Sequence, residues 1–314
     1  MKAEKVVTLT MHPAIDVSTS VEHVEPTHKL RCAPAHRDPG GGGINVARVL
    51  RRFEADVLAI YVAGGSTGDL LQKLVHREGI RDLVIREMTE TREDFTVYEQ
   101  SSGNQFRFVM PGPELARESW LAALDAVARL EEKPGYIVAS GSLPPGVPVD
   151  FYAEVARIAH SLGARFVLDT SGEPLTAALS RSPFLIKPNL RELRELTGMA
   201  LDGERDWLEA ARRLIATRQT EMVALTLGEE GALIVTRDEA WRAEAPKVEV
   251  VSTVGAGDSF LAALVWGIAS GEVLAEAFRR AVAAGSAALL SPGTELCRPE
   301  DVARLARDVS PRPL

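Results

Sequence analysis

The residues with the clearest chemical potential lie in segment 251–260, where Gly255, Ala256 and Gly257 are followed directly by Asp258. Small residues let backbone N–H groups approach a phosphate closely, and a helix that begins here adds its positive N-terminal end. A carboxylate beside such a cradle can take the proton of an acceptor hydroxyl while the amides hold developing negative charge. The segment therefore predicts phosphoryl transfer with Asp258 as the base. The alternative is a glycine-rich turn that ends in an Asp helix cap.

A second glycine run, from Gly40 to Gly43, leads directly into a helical apolar pattern. Four successive glycines carry a large entropic cost on folding, so they are expected where a ligand must touch the backbone. Asn45, in the first turn of the predicted helix, can offer an amide and a carbonyl to sugar hydroxyls. A flexible linker is the less consistent alternative, because linkers seldom lead straight into an amphipathic helix.

Two common nucleotide signatures are absent from the sequence. No G-x-G-x-x-G follows the first predicted strand, which argues against a nicotinamide-dependent oxidoreductase, and no G-x-x-x-x-G-K-[ST] occurs. The net charge of −8 argues against nucleic acid or an anionic membrane as a partner. Cys32 and Cys297 have no metal-ligand spacing and are predicted to be free thiols. The start of the chain carries no signal-peptide pattern, so we expect a cytoplasmic protein.

Short apolar runs alternate with amphipathic segments along the 314 residues, which predicts the α/β class with a mostly parallel sheet covered by helices. The predicted strands are 5–9, 57–63, 136–140, 166–169, 184–187, 222–227 and 232–236. The predicted helices are 43–53, 68–78, 118–131, 150–162, 190–197, 206–218, 257–271, 274–290 and 299–307. Two alternating runs without a following helix, 15–35 and 95–110, predict a small inserted antiparallel sheet.

The motifs together resemble the PfkB family of carbohydrate kinases, within the ribokinase-like fold, over nearly the whole chain. The matching segments, in order, are 40–50, 187–192, 227–231 and 252–259. The resemblance implies a three-layer α/β/α domain over residues 1–314, with lid strands contributed by about 16–37 and 92–111. Segments 29–32, 40–43, 106–112 and 140–146 are most similar to members that act on fructose 6-phosphate. Members that act on fructose 1-phosphate more often carry Lys at the position of Gly43.

The resemblance implies an ATP-dependent kinase that phosphorylates the C1 hydroxyl of fructose 6-phosphate. Asp258 would be the base, and Gly255, Ala256 and Gly257 would form the anion hole. The residues implied for the sugar phosphate are Asp16, Lys29, Arg31, Gly41, Gly42, Asn45, Arg92 and Ser142. Those implied for ATP are Lys187, Asn189, Thr226, Gly228 and Gly231, with the small residues letting the loop approach the triphosphate. Asn189 and Glu192 would organise Mg²⁺ mainly through water, and Ser252, Val254, Ala288 and Gly293 mark a candidate potassium site.

Several alternatives stay open at this stage. The substrate could be tagatose 6-phosphate, which differs only in the configuration at C4, or fructose 1-phosphate. A catalytically inactive regulator that binds sugar phosphates is the alternative of another class. Such a protein would be expected to have lost either the G-A-G-D motif at 255–258 or the N-x-x-E motif at 189–192, and both are intact. Asn189 and Glu192 also read as a simple helix capping box. Relatives pair their lid sheets between subunits, so we expect a homodimer.

Overall fold

The computed structural model describes residues 4–314, and the first three residues of the predicted domain lie outside that range. The strands are β1 (Val6–Thr10), β2 (Ala14–Val21), β3 (His36–Gly40), β4 (Val57–Gly64), β5 (Arg81–Glu87), β6 (Arg92–Glu99), β7 (Gln105–Phe108), β8 (Tyr136–Ser140), β9 (Arg165–Asp169), β10 (Leu185–Ile186), β11 (Met222–Thr226), β12 (Ala232–Val235), β13 (Ala240–Ala243) and β14 (Arg312–Pro313). The helices are α1 (Gly42–Arg52), α2 (Gly65–Arg77), α3 (Arg117–Ala128), α4 (Phe151–Leu162), α5 (Gly172–Ala178), α6 (Leu190–Thr197), α7 (Glu204–Ala216), α8 (Ala256–Ala269), α9 (Leu274–Ala288) and α10 (Pro299–Leu305).

The large sheet has the order β14-β13-β12-β11-β10-β9-β8-β1-β4-β5. Its strands are parallel from β5 to β11 and antiparallel from β11 to β14. Successive residues of β1 enter opposite apolar clusters: Val6 packs with α1, α2, α8 and α9, and Val7 packs with α3, α4 and α7. The predicted three-layer α/β/α architecture is confirmed. Among residues 4–314, the helices are all too short or too polar to cross a membrane.

The second sheet has the order β3-β2-β6-β7, and we call it the lid sheet. The prediction that it is antiparallel is wrong for its central pair, because β2 and β6 run parallel, from Ala14 beside Arg92 to Val21 beside Glu99. Its outer pairs are antiparallel. The reason lies in the large sheet: β2 follows β1 and β6 follows β5, and these two strands point the same way. Two connections that leave the same edge of a parallel sheet therefore enter the lid in the same direction.

Other differences concern short or exposed elements. Residues 22–35 were included in the predicted lid strands, but they contain no strand and are largely exposed. β5, β13 and α5 are not among the strands and helices predicted from the sequence. β5 is an edge strand of the large sheet and has charged residues at both ends, and α5 has only seven residues. Such elements carry too little periodic apolar pattern to be recognised.

The end of β4 contains a tightly packed glycine. A Cβ on Gly64 would lie 2.2 Å from the carbonyl oxygen of Glu87 and 2.4 Å from that of Thr89. We expect Gly64→Ala to lower the free energy of unfolding by about 1–3 kcal/mol, because backbone must move to admit the methyl group. Gly203→Ala is the control, since a Cβ there meets no atom within 4 Å. Urea unfolding of both variants measures the difference, and equal midpoints would contradict the packing described here.

Candidate active site

Asp258 lies in the first turn of α8, immediately after Gly255, Ala256 and Gly257. Its Oδ2 accepts a hydrogen bond of 2.9 Å from Nδ2 of Asn45, in the first turns of α1. Both helices begin at the carboxyl edge of the large sheet, which is where parallel α/β sheets bind ligands. The structure thus joins the two glycine motifs, although 213 positions separate Asn45 from Asp258.

The environment of Asp258 favours a base that can accept a proton near neutral pH. Burial raises the pKa of Asp258 to about 6, and the Asp169 carboxylate adds to the rise. The hydrogen bond from Asn45 and the positive charges of Lys187 and Arg107 act in the opposite direction. A general base is most effective when its pKa lies near the working pH.

Lys187 supplies a buried positive charge next to the glycines. Its Nζ lies 3.1 Å from Oδ1 of Asp169 and 3.4 Å from the position that a Cβ on Gly257 would occupy. Burial alone would lower the pKa of Lys187, but Asp169, with help from Asp258 and Glu192, outweighs it and raises the pKa. Lys187 therefore stays an ammonium ion beside the anion hole. Asp169 was missed in the sequence, where its position at the end of a buried strand was the available signal.

The residues predicted to bind the sugar lie around Asp16 and the glycine run 40–43. A Cβ on Gly40 would lie 2.5 Å from Oδ2 of Asp16, and one on Gly42 would lie 2.2 Å from Oγ of Ser140. The backbone from Gly40 to Gly42 therefore passes directly between these two polar side chains. Burial raises the pKa of Asp16 to about 6, whereas Arg107 acts to lower it.

Arg92 and Ser142 are linked through His12, and Arg92 and His12 line a cavity near the ends of β1 and β4. Arg92 donates to the carbonyl oxygens of Met110, at 2.9 Å, and His12, at 3.3 Å. Nδ1 of His12 lies 3.0 Å from Oγ of Ser142. Within residues 4–314, the buried atoms Nε of Arg92 and Nε2 of His12 have no hydrogen-bond partner. Such buried polar atoms without a partner are rare in folded proteins.

His12 is not among the site residues predicted from the sequence. Burial, followed by the charge of Arg92, lowers the pKa of His12 to about 4, against a smaller opposing effect of the Pro111 carbonyl. The ring is therefore neutral at physiological pH. It orients Ser142 and the cavity wall without adding a second positive charge next to Arg92.

Lys29 and Arg31 are not brought to this cluster. Both lie on the exposed loop 22–35, and their side chains make no hydrogen bond or ion pair with the described part of the chain. Arg107 of β7 occupies a more suitable place, because its charge acts on both Asp16 and Asp258. One weak signal for Arg107 is present in the sequence: Arg107 alternates with Phe106 and Phe108, so its side chain lies on the other face of the strand.

The predicted nucleotide residues gather at the start of α6 and the end of β11. Thr226 N–H donates to the carbonyl of Pro188 at 3.1 Å, and Thr226 forms a parallel bridge with Asn189. Gly228 faces open space, as expected for a residue that borders a ligand. Gly231 differs, because a Cβ there would lie 2.2 Å from the carbonyl oxygen of Ala243. Gly231 must be small because the backbone of residues 243–245 packs directly against it.

Asn189 and Glu192 form a complete capping box. Oδ1 of Asn189 accepts from the Glu192 amide, and Oε2 of Glu192 accepts from the Asn189 amide, both at 2.9 Å. Oε1 of Glu192 accepts no hydrogen bond in the described chain and can bind a hydrated ion. Residues 4–314 contain no group of three or more histidine, cysteine, aspartate or glutamate side chains placed to hold a metal directly. These residues fit Mg²⁺ that keeps most of its water and binds nucleotide phosphates.

Three of the predicted potassium residues lie on two loops that pack together, and the fourth, Ala288, is the last residue of α9. Oγ of Ser252 donates to the carbonyl of Gly293 at 3.0 Å and accepts from the amide of Val254 at 3.3 Å. The Ala288 carbonyl accepts from the amide of Ser291 at 3.2 Å. Each carbonyl oxygen has two lone pairs, so one remains at Gly293 and at Ala288 for a cation.

Phosphoryl transfer requires a positioned acceptor hydroxyl, a base beside it and fixed positive charge where the phosphoryl group passes. Asp258 is placed where it could act as such a base, and the α8 N-terminus and Lys187 could provide such charge. The fold and the site therefore define an ATP-dependent sugar kinase of the ribokinase-like class. Residues 5–301 match the model of the pfkB family of carbohydrate kinases. The chain belongs to this family.

Named relatives fall into two groups. The ATP-dependent 6-phosphofructokinase isozyme 2 of Mycobacterium tuberculosis is 44% identical over 300 residues, which cover 96% of this chain and 88% of that protein. The 1-phosphofructokinase of Bacillus subtilis is 33% identical over 290 residues, which cover 92% of this chain and 94% of that protein.

Solved structures of phosphofructokinase-2 from Escherichia coli are also similar, and each covers 97% of this chain and 99% of the other. The complex with fructose 6-phosphate has a TM-score of 0.91 at 35% identity. The complex with potassium has a TM-score of 0.92 at 37% identity. A tetrameric inhibited form has a TM-score of 0.91 at 36% identity.

The raised pKa of Asp258 implies a stability cost that depends on pH. A carboxyl group whose pKa is higher in the folded state destabilises the fold above that pKa, and the cost disappears below the unfolded-state value. We therefore expect Asp258→Asn to raise the free energy of unfolding by about 1–3 kcal/mol at about pH 8. The gain should vanish near pH 4. Asp150→Asn, at an exposed aspartate, is the control in thermal unfolding across this range. A pH-independent effect of Asp258→Asn would refute the assigned cause.

Proposed function

We propose that the protein transfers the γ-phosphoryl group of ATP to the C1 hydroxyl of fructose 6-phosphate. The observation that carries this proposal is the 2.9 Å hydrogen bond between Asn45 and Asp258. It places a side chain that suits sugar hydroxyls against a carboxylate with a raised pKa, next to a glycine-rich helix N-terminus. A sugar hydroxyl that binds Asn45 is therefore within reach of the base.

In this mechanism Asp258 accepts the proton of the C1 hydroxyl as the oxygen attacks the γ-phosphorus. The amides of Gly255, Ala256 and Gly257 hold the transferring group. Lys187 neutralises part of its charge, and Asp169 keeps the ammonium in place. Glu192 and Asn189 would hold Mg²⁺ mainly through its water, and the ion would supply positive charge that offsets the charge of the ATP phosphates.

The phosphate already on the sugar requires a separate cationic pocket. Arg92 provides a planar guanidinium that suits a dianion, and its Nε is buried without a partner among residues 4–314. His12 contacts both Arg92 and Ser142. We assign the binding of the 6-phosphate to Arg92, with Arg107 as a second cation and Lys29 and Arg31 reaching it only if loop 22–35 changes position. The 6-phosphofructokinase relatives support this assignment, and the 1-phosphofructokinase relative keeps fructose 1-phosphate as an alternative.

A catalytically inactive regulator is a weaker proposal, because the base, the anion hole and the capping box are all intact. Tagatose 6-phosphate would use the same machinery and differs at one hydroxyl. We further propose that potassium binds the carbonyls of the 252–254 and 288–293 loops, as supported by the potassium complex of the Escherichia coli relative.

The outer face of the lid sheet supports a proposed homodimer. Phe95 and Phe108 lie side by side on this face, next to Val17, which is already buried. Phe95 is 38% exposed and Phe108 is 51% exposed. The opposite face carries Asp16 and contacts the large domain, where Gln105 donates to the carbonyl of Val251 at 2.8 Å. A second lid would cover the apolar face and help to exclude water from the site.

The proposed activity is tested by ADP release with Mg-ATP and a panel of fructose 6-phosphate, tagatose 6-phosphate, fructose 1-phosphate and fructose. We expect the highest kcat/KM for fructose 6-phosphate. Asp258→Asn should lose turnover by about three or more orders of magnitude while it still binds ATP. A lead for another sugar would change the substrate, and no turnover with any phosphorylated ketose would refute the function. Normal turnover by Asp258→Asn would remove the assigned base.

The dimer proposal is tested by light scattering. The wild-type chain of 33.9 kDa should have at least twice that mass in solution. Phe108→Glu should dissociate it, because a charge cannot be buried unpaired in an apolar interface. Leu121→Glu on α3, at a residue that is 43% exposed, is the matched control and should leave the mass unchanged. A monomeric wild type, or equal masses for both variants, would contradict the assigned face.

A further inference from the structure

Arg48 is the largest fully buried side chain among residues 4–314, with a relative exposure of 1%. It lies on α1, one turn after Asn45. Its guanidinium donates to Glu78 at 2.8 and 3.0 Å, Asp38 at 3.2 Å, the Pro39 carbonyl at 3.2 Å, the Thr294 carbonyl at 2.8 Å and Oδ1 of Asn45 at 3.4 Å. A buried cation requires such a set of acceptors. The stability of α1 does not by itself explain why Arg48 donates a hydrogen bond to Asn45.

The contacts of Asn45 with Arg48 and with Asp258 together decide which way its amide points. An asparagine side chain can present either oxygen or nitrogen in a given direction, and its neighbours select between them. Arg48 has only donors, so Oδ1 of Asn45 faces Arg48. Nδ2 then faces Asp258 and donates to it. The reversed amide would set an oxygen against the carboxylate and a nitrogen against the guanidinium.

The same guanidinium also contacts the lid. Asp38 and Pro39 belong to β3, which is the strand that leads from the lid sheet into α1. Thr294 follows Gly293 in the loop that faces Ser252. Arg48 thus joins the lid, the proposed potassium loop and the hydrogen-bond partner of the base.

We propose that Arg48 is a positioning residue that holds the Asn45 amide toward Asp258 and ties this orientation to lid strand β3. The proposal rests on the proposed function, since Asp258 must be the base for the orientation to affect turnover. Arg48 itself does not reach the reacting atoms.

The proposal predicts a change in the pH profile. The groups that face Asp258 are Asn45 from α1, Asp169 after β9, Lys187 after β10 and Arg107 from β7. The hydrogen bond from Asn45 stabilises the carboxylate, so its loss raises the pKa of Asp258. Because the base must be ionised, the acid limb of kcat/KM then moves to higher pH.

Arg52 provides a matched control on the same helix. Its guanidinium also pairs with Glu78, at 3.4 Å, and binds the carbonyls of Glu295 and Cys297. It makes no contact with Asn45. Arg52→Lys therefore perturbs the same carboxylate and the same helix without changing the amide orientation.

The experiment compares pH profiles of kcat and kcat/KM for wild type, Arg48→Lys and Arg52→Lys, with melting temperatures to verify folding. We expect Arg48→Lys to lose about tenfold or more in kcat, to shift the acid limb upward and to keep KM for ATP. Arg52→Lys should stay within about twofold of wild type. On an Asn45→Ala background, Arg48→Lys should have much less additional effect, because both changes remove one interaction. Equal profiles for the two lysine variants would overturn the proposal.

Poor pairing of the buried carboxylates in Arg48→Lys would show as a failure to fold. Glu78→Gln then serves instead, since it keeps an acceptor oxygen and loosens the guanidinium from its strongest anchor. It should shift the acid limb in the same direction, beyond any shift in Arg52→Lys, and an unshifted limb would overturn the proposal. A wild type without kinase activity would remove the proposed function and this inference together, whereas an active wild type with equal variants would remove only the inference.

Discussion

The hydrogen bond between Asn45 and Asp258 sets the conditions for the rest of the structure. It requires the first turns of α1 and α8 to meet at one edge of the large sheet, so these helices lie on the same face and share an apolar cluster. It also leaves the carboxylate of Asp258 partly buried, where the nearby positive charges do not neutralise it fully. The surrounding core must stabilise this arrangement, because an ionised carboxyl group with a raised pKa costs folding free energy.

The lid sheet has a comparable electrostatic constraint. Asp38, Asp16 and Asp94 lie side by side on adjacent strands, and like charges across a sheet repel. Arg48 pairs with Asp38 and Arg92 pairs with Asp94, at 3.2 and 3.3 Å. The central Asp16 has no such direct pair among the described residues, and burial raises its pKa. Asp16 is therefore the carboxylate of the three that remains available to accept a hydrogen bond from a hydroxyl, because Asp38 and Asp94 already pair with arginines.

The sequence predicted the parts of the site that are encoded locally. The two glycine motifs and the Asn189–Glu192 cap each depend on residues within one turn, so their spacing identifies them. His12, Asp169 and Arg107 were missed because each acquires its role from residues on another element. The parallel pairing of β2 with β6 depends on the direction of two distant strands and has no sequence pattern. Lys29 and Arg31 show the reverse case, in which a familiar motif lies on a loop that extends away from the cluster.

The lid connections differ greatly in length. Three residues, 11–13, join β1 to β2, and one residue, Gly41, joins β3 to α1, whereas residues 22–35 form a long exposed loop at the far end of the lid. The short links fix the height of the sheet above the pocket, because an added residue would shift the side-chain alternation. The long loop is free of that restriction, and loop closure depends only weakly on length. Variation in chain length among functional homologues should therefore accumulate at the outer end of the lid, where it leaves the catalytic geometry intact.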